Sequence, residues 1–311
     1  MTDMPIFENF TPRDASLWGR HANILKHRLH EHALFSNEAL GALIEAYPRE
    51  RYDLCHMAEP GAKKRFWREG EIGEARGTDV IESIANGRMW INLRDVGAVD
   101  ARYKALLDTI FDELEGYMPE FRPFRTNLGI LISSPEAQAY YHADIPGQSL
   151  WQIRGRKRLY VYPTTAPFLS KEAMEKIITQ ESEEEFHFEE WYDQHARVID
   201  LEPGMMASWA LNGPHRVENL GVLNVSVTTE HWTDEIRRSY AAHYGNRVLR
   251  RFGFNPQTHA LSGPGFWGKA ALAAAYKFTP LGKTREISRK VDFRIDRMSP
   301  SGLMDIPAYM R

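Results

Sequence analysis

The sequence predicts a mainly β fold, an antiparallel barrel or jelly-roll with helical flanks. From Arg125 onward apolar residues come in short runs with the two-residue period of strands, while the segments on either side carry the 3.6-residue period of helices. Gly and Pro punctuate those runs at 134–135, 203–204 and 213–214. Short strands spaced by such turns favour a closed antiparallel arrangement over repeated βαβ units.

The first stretch, 1–120, reads as an α/β layer bracing a sheet. Residues 14–34 have the pattern of a polar amphipathic helix, with Leu17, Ile24, Leu25 and Leu29 on its apolar side. Asn37 is placed to cap a second helix through Ala46, and Pro48 ends it. Residues 51–57 alternate as a strand, and His56 within it has the surroundings of an ordinary surface or core histidine. The polar residues 59–77, interrupted by Phe66 and Trp67, read as a loop. A short helix over 79–87 stops at Gly87, and 89–93 is a strand. Over 100–118 the spacing of Tyr103, Leu106, Leu107, Ile110, Phe111 and Leu114 predicts a helix that buries one face.

The β core is expected over 121–232. A strand at 127–133 leads through a Ser-Pro turn to the segment that carries His142. Residues 148–153 and 157–162 read as two strands joined in a hairpin through Arg154-Gly155-Arg156, where glycine supplies backbone freedom. Residues 167–190 form a helical excursion whose acidic run at 181–185 is expected to be a solvated face. Residues 196–204 end in a Pro-Gly turn, and strands follow at 205–210, 215–218 and 222–231.

Residues 233–311 turn helical at 234–244 and 266–278. The second helix, almost wholly alanine at 270–275, is expected to pack on the core or to form a homodimer. This region holds fourteen Lys/Arg against six Asp/Glu. The charges are dispersed and match no DNA-reading motif, so a solvated surface is expected.

Bulk properties narrow the class. Of the 311 residues 43% are apolar, with Trp 8, Tyr 13 and Phe 15, enough for a sizeable core and unlike a disordered chain. A net charge of -3 sets up no global field toward nucleic acid or an anionic membrane. The single cysteine, Cys55, excludes an intrachain disulfide framework and fits a reducing compartment. Residues 1–20 have no continuous apolar segment of the signal-peptide kind, and no later run reaches spanning length. A cytoplasmic protein is expected.

The chemistry centres on Tyr140-Tyr141-His142-Ala143-Asp144. On a strand or its end, positions i and i+2 point the same way, so His142 and Asp144 can present an imidazole nitrogen and a carboxylate oxygen to one point. The third candidate is His215, in Gly213-Pro214-His215, which opens another strand-like run. Two histidines and one carboxylate suit Fe(II) and leave coordination positions open. Lys157, which follows Gly155, is a flexible point charge able to meet a remote carboxylate.

On these residues, 125–232 resembles the core of the JmjC/cupin-like Fe(II)- and 2-oxoglutarate-dependent dioxygenases. It is particularly similar in pattern to the asparaginyl hydroxylase of hypoxia-inducible factor and its bacterial cupin-like relatives. The resemblance implies a double-stranded β-helix, with a metal triad of His142, Asp144 and His215. Lys157, fifteen residues after the first histidine, would hold the distal carboxylate of 2-oxoglutarate. The 201–205 turn and Val217-Glu218-Asn219 also match the family's late-barrel pattern.

Asn127, Tyr141, Gln148 and Thr228 lie on strands expected to approach the pocket, where family members hydrogen-bond the 2-oxoacid. Three residues before the first histidine the family often has a hydroxyl; here stands Ala139, so Tyr141 or Asn127 must complete the contacts. Trp151, Trp209 and Trp232 read as core. Arg154, Arg156 and Arg216 are candidates for an anionic substrate group, with solvent-facing roles as the plainer reading. The implied reaction hydroxylates a protein, peptide or small-molecule substrate, consuming O₂ and 2-oxoglutarate and releasing succinate and CO₂. The alternative is a non-catalytic cupin-like metal- or ligand-binding regulatory protein.

Overall fold

The computed structural model describes residues 4–57, 67–181, 187–282 and 288–311. The first helix, α1 (Pro12–Leu17), starts at a Thr11–Asp14 capping box with Pro12 in its first turn. The helix predicted over 14–34 ends there. Gly19 takes φ +66, and Asn23–Lys26 forms strand β1. The reason is tertiary: Leu25 is buried in the main core while Ile24 packs toward a second core on the opposite face. Adjacent apolar residues thus serve the two faces of a strand, not one face of a helix.

Helix α2 (Asn37–Glu45) is capped by Ser36, one residue before the expected cap. Then come β2 (Tyr52–Met57), β3 (Trp67–Glu71), α3 (Gly77–Asn86), β4 (Met89–Leu93), α4 (Val96–Val99) and α5 (Ala101–Tyr117). Strand β3 falls inside the expected loop at 59–77, whose residues 59–66 lie outside the described ones. Helix α5 buries the six residues its spacing singles out, within the same apolar core as Leu128, Ile130 and Ile132.

Eight strands then follow: β5 (Phe124–Ser133), β6 (Gln138–His142), β7 (Gly147–Arg154), β8 (Lys157–Val161), β9 (Arg197–Leu201), β10 (Met205–Ser208), β11 (His215–Asn219) and β12 (Asn224–Trp232). One sheet orders them β10-β7-β12-β5 and the other β6-β11-β8-β9, all antiparallel. This alternation between two facing sheets is a double-stranded β-helix, or jelly-roll. Its interior is filled by Leu150, Ala207 and Trp209 from one sheet and Leu159, Ile199, Leu201 and Val217 from the other.

The expected hairpin between 148–153 and 157–162 does not form. Strand β7 pairs with β10 and β12, whereas β8 pairs with β11 and β9. Arg154-Gly155-Arg156 carries the chain from one sheet to the other. Gly155 makes that crossing possible: its φ is +78, and a Cβ there would run into the Leu223 carbonyl oxygen.

The first sheet extends well past the barrel. Strand β1 adds to β10, and on the far side β5 continues through β4, β2 and β3. Helix α6 (Lys171–Ile178) lies between β8 and β9 in sequence; after β12 come α7 (Asp234–Arg251), α8 (Gly263–Lys277) and two strands, β13 (Lys290–Ile295) and β14 (Leu303–Met310). The C-terminal helices are present as expected, but α8 packs with α6 and α7, through Met174, Ile177, Tyr244, Val248, Ala273 and Tyr276. Strand β13, which the sequence reading did not foresee, buries Val291, Phe293 and Ile295 and pairs parallel with β3. In the acidic run, Glu181 is bound to Arg247 and Arg251 of α7; residues 182–185 lie outside the described ones.

Candidate active site

His142 closes β6 and His215 opens β11, and the register pairs them directly. Their ring centroids are 4.1 Å apart. Asp144 lies two residues beyond His142, in the turn after β6. Asn212, itself at φ +57, fixes that turn by donating from Nδ2 to the Asp144 carbonyl at 2.7 Å and the Ile145 carbonyl at 3.2 Å. The Asp144 carboxylate then stands 3.9 Å from His142 Nε2 and 3.4 Å from His215 Nε2.

Both imidazoles are oriented for ligation. His142 Nδ1 lies 2.6 Å from the Tyr140 carbonyl and His215 Nδ1 lies 3.0 Å from the Gly213 carbonyl. A carbonyl only accepts, so each Nδ1 carries the proton and each Nε2 keeps its lone pair for a metal. Burial, reinforced by His142, holds His215 well below the usual imidazole range, so it is neutral. Burial also raises the Asp144 carboxyl, an effect His142 partly offsets. Ligand atoms at cis positions about 2.1 Å from one ion stand about 3 Å apart, near the spacing found. The donor set therefore fits Fe(II).

Gln148, on the barrel-facing side of β7, turns its amide nitrogen to both Asp144 oxygens, at 3.2 Å for Oδ1. It pairs across the sheet with Glu230, which pairs in turn with Asn127. Asn127 donates to Glu230 Oε2 at 3.4 Å, and its own Oδ1 is buried with no partner among the described residues. Thr228 lies two residues before Glu230 on the same face. A Cβ at Gly129 would sit 2.7 Å from Thr228 Oγ1, so that glycine makes room for the hydroxyl. Asn127, Gln148 and Thr228 thus line the interior together.

Tyr141 does not. It packs among Tyr162, Phe168 and Tyr192 on the other face of the smaller sheet, and its hydroxyl donates to the Phe168 carbonyl at 2.8 Å. Alternation along β6 sends it away from His142. Of the two residues expected to compensate for Ala139, Asn127 faces the barrel interior and Tyr141 does not.

Lys157 faces inward on β8 with Leu159. It is 2% exposed, and among the described residues its ammonium has no hydrogen-bond or ion-pair partner. Burial alone lowers it to about 7. It sits four residues along β8 from Val161, which pairs with His215, about 13 Å along the strand. A lysine stem and a short dicarboxylate together span that distance.

The sequence reading missed Glu230. Burial, then the charge of Asp144, raises its carboxyl above the usual range. The available signal was its place two residues after Thr228, on the same strand face. The three tryptophans are packed as expected: Trp151 in the main core, Trp232 against Tyr240, and Trp209 against the His215 ring at 4.5 Å. The arginines serve the fold. Arg154 binds Asn37 and the Phe35 carbonyl, Arg156 pairs with Glu202, and Arg216 pairs with Asp193 and Glu218.

A cleft of about 960 Å³ opens beside the centre, between α1, the 117–124 segment and the start of α7. The triad does not line it; the cleft reaches the centre through Gln148 and Trp209.

No family profile matches the sequence, and no curated protein matches it. Among solved structures, the chain is similar to Escherichia coli YcfD, at 15% identity over 85% of this chain and 66% of that one, with a TM-score of 0.49. It is similar also to YcfD described as a ribosomal oxygenase in complex with cobalt and 2-oxoglutarate, at 17% identity over 89% and 70%, TM-score 0.46. A further YcfD structure gives 17% identity over 93% and 74%, TM-score 0.49. The chain thus spans from just under two thirds to about three quarters of the length of these proteins.

Proposed function

We propose that this protein is an Fe(II)- and 2-oxoglutarate-dependent oxygenase that hydroxylates its substrate. One observation carries the reading: a two-histidine, one-carboxylate centre and a buried Lys157, unpartnered among the described residues, share the interior of one jelly-roll. His142, Asp144 and His215 would hold the metal. When bound, Fe(II) with 2-oxoglutarate activates O₂ and supplies the oxidising chemistry, with succinate and CO₂ as the co-products.

The chain's own residues bind and orient. Lys157 holds the far carboxylate of the 2-oxoacid, a charge-assisted contact strengthened by its dry surroundings. Asn127 and Thr228 offer an amide and a hydroxyl to the same ligand. Gln148 holds the Asp144 carboxylate, and Trp209 shields one face of His215 from water. Substrate enters by the adjoining cleft, whose size suits a protein or peptide side chain as well as a small molecule. The similarity in sequence pattern to the asparaginyl hydroxylase branch makes protein asparagine one residue to survey. A cytoplasmic setting is proposed with it, on the single cysteine of the sequence.

The test is turnover. Iron-loaded protein incubated with 2-oxoglutarate and candidate peptides is expected to release succinate and add one oxygen atom to its substrate, as read by mass spectrometry. Failure of the iron-loaded protein to bind 2-oxoglutarate anaerobically would overturn the reading.

A further inference from the structure

A second cluster of metal-ligating side chains lies away from the barrel centre, where α6 meets α7. Glu175 of α6, His243 of α7 and His259 of the following connector each bring one donor atom within 4.8 Å of the others. Glu175 is completely buried and His259 is 15% exposed. The two imidazole rings lie with centroids 4.4 Å apart.

The hydrogen bonds of these groups leave donor atoms unused. Arg250 takes Glu175 Oε2 at 2.8 Å, while Oε1 faces His259 Nε2 at 3.3 Å. Asn246 Nδ2 also approaches His259 Nε2, at 2.9 Å. Among the described residues, Nδ1 of His243 and Nδ1 of His259 are both buried without a partner, as is Asn246 Oδ1. Orphaned buried polar atoms are uncommon, and two of these belong to imidazoles grouped with one carboxylate, an arrangement that leaves room for an occupant.

We infer that Glu175, His243 and His259 form a second divalent-cation site, suited to Zn(II), which staples α6 to α7 and to the connector between α7 and α8. Two imidazole nitrogens and one carboxylate oxygen are a zinc donor set. Local charge sharpens the choice of ion. Arg250 offsets Glu175, and Lys171 and Lys269 stand nearby, bonded to the Gln257 and Thr258 carbonyls at 3.4 and 2.5 Å. These cations oppose any ion held by charge alone. The site therefore favours Zn(II), which bonds imidazole, over Mg(II) or Ca(II), which rely on oxygen ligands.

The experiment counts metal on the full chain with the barrel centre removed. His142→Ala/His215→Ala protein, stripped with chelator, is dialysed against Zn(II) and, separately, Mg(II), and bound metal is measured by mass spectrometry. One Zn(II) per chain and no Mg(II) are expected. Adding His243→Gln or, independently, His259→Gln should weaken that binding by about tenfold or more, with circular dichroism reporting the fold of each variant. Zinc should also raise the melting temperature of the double variant, but not after His243→Gln. Absence of zinc from the folded double variant, or zinc binding indifferent to both glutamine substitutions, would overturn the assignment. Because the barrel ligands are absent throughout, this result is separate from the test of oxygenase activity.

Discussion

His142 and His215 stand directly opposite each other on β6 and β11, with their rings 4.1 Å apart and each Nδ1 bound to a backbone carbonyl. Residues 73 positions apart in the chain are thus brought together as a pair in one sheet. Asp144 completes the centre from the turn beyond. Removing either kind of ligand should disable it. His142→Ala or Asp144→Ala is expected to weaken Co(II) binding by about tenfold or more, read from equilibrium dialysis and the visible spectrum. Retained affinity in both folded variants would count against the centre.

Gln148 tests the support behind the carboxylate. Its amide donates to Asp144, so Gln148→Leu leaves those oxygens without their partner and free to turn. Metal affinity should fall by about tenfold, while Gln148→Asn, a shorter donor, should fall between. An unchanged affinity in Gln148→Leu would separate this amide from the site.

Lys157 links ligand binding to pH. Its folded value of about 7 lies below the unfolded value of about 10.4. Between those values the unfolded chain binds more proton, so stability rises with pH across that window and the burial penalty is fullest below about 7. Lys157→Met removes the penalty. Ligand-free Lys157→Met should therefore melt above the wild type at pH ~6, with the gap shrinking toward pH ~10. Melting curves with the same gap at every pH would contradict the buried charge.

The same group should take up a proton when a dicarboxylate arrives. At pH ~8, binding of 2-oxoglutarate to wild-type protein is expected to draw a proton from buffer, seen as a buffer-dependent calorimetric heat. Lys157→Ala should weaken binding by about tenfold or more and abolish any remaining buffer dependence.

Gly155 ties the fold to the site. An alanine there would have to hold φ near +78 and meet the Leu223 carbonyl. Gly155→Ala should destabilise by about 2 kcal/mol or more, measured by denaturant unfolding. It should also raise the 2-oxoglutarate requirement, because Lys157 begins the strand two residues later.

Much of this was legible in the chain. Helix α5 follows from its apolar spacing, since one buried stripe suffices to specify it. The triad follows from the i, i+2 relation of His142 and Asp144 and from a second histidine opening a later strand. The role expected of Lys157 came from the resemblance to the dioxygenase family, and its distance after His142 carries no such meaning by itself. Strand β1 was misread because Leu17, Ile24, Leu25 and Leu29 satisfy a helical period, and only the free edge of β10 makes a strand the better use of Ile24 and Leu25. The turn at Gly155 was read as a hairpin because a positive φ is common to hairpins and crossings alike.

By itself, the sequence determined the residue types, their local periods and the donor atoms available for a metal, because these depend on neighbours a few positions away. Which sheet each strand joined, that Tyr141 faces outward, that Glu230 stands behind Asp144's partner and that His243 and His259 meet Glu175 were decided only by tertiary structure. Those relationships join residues distant in the chain, and no local period encodes them. They arise when burial of both sheet faces selects one pairing from many.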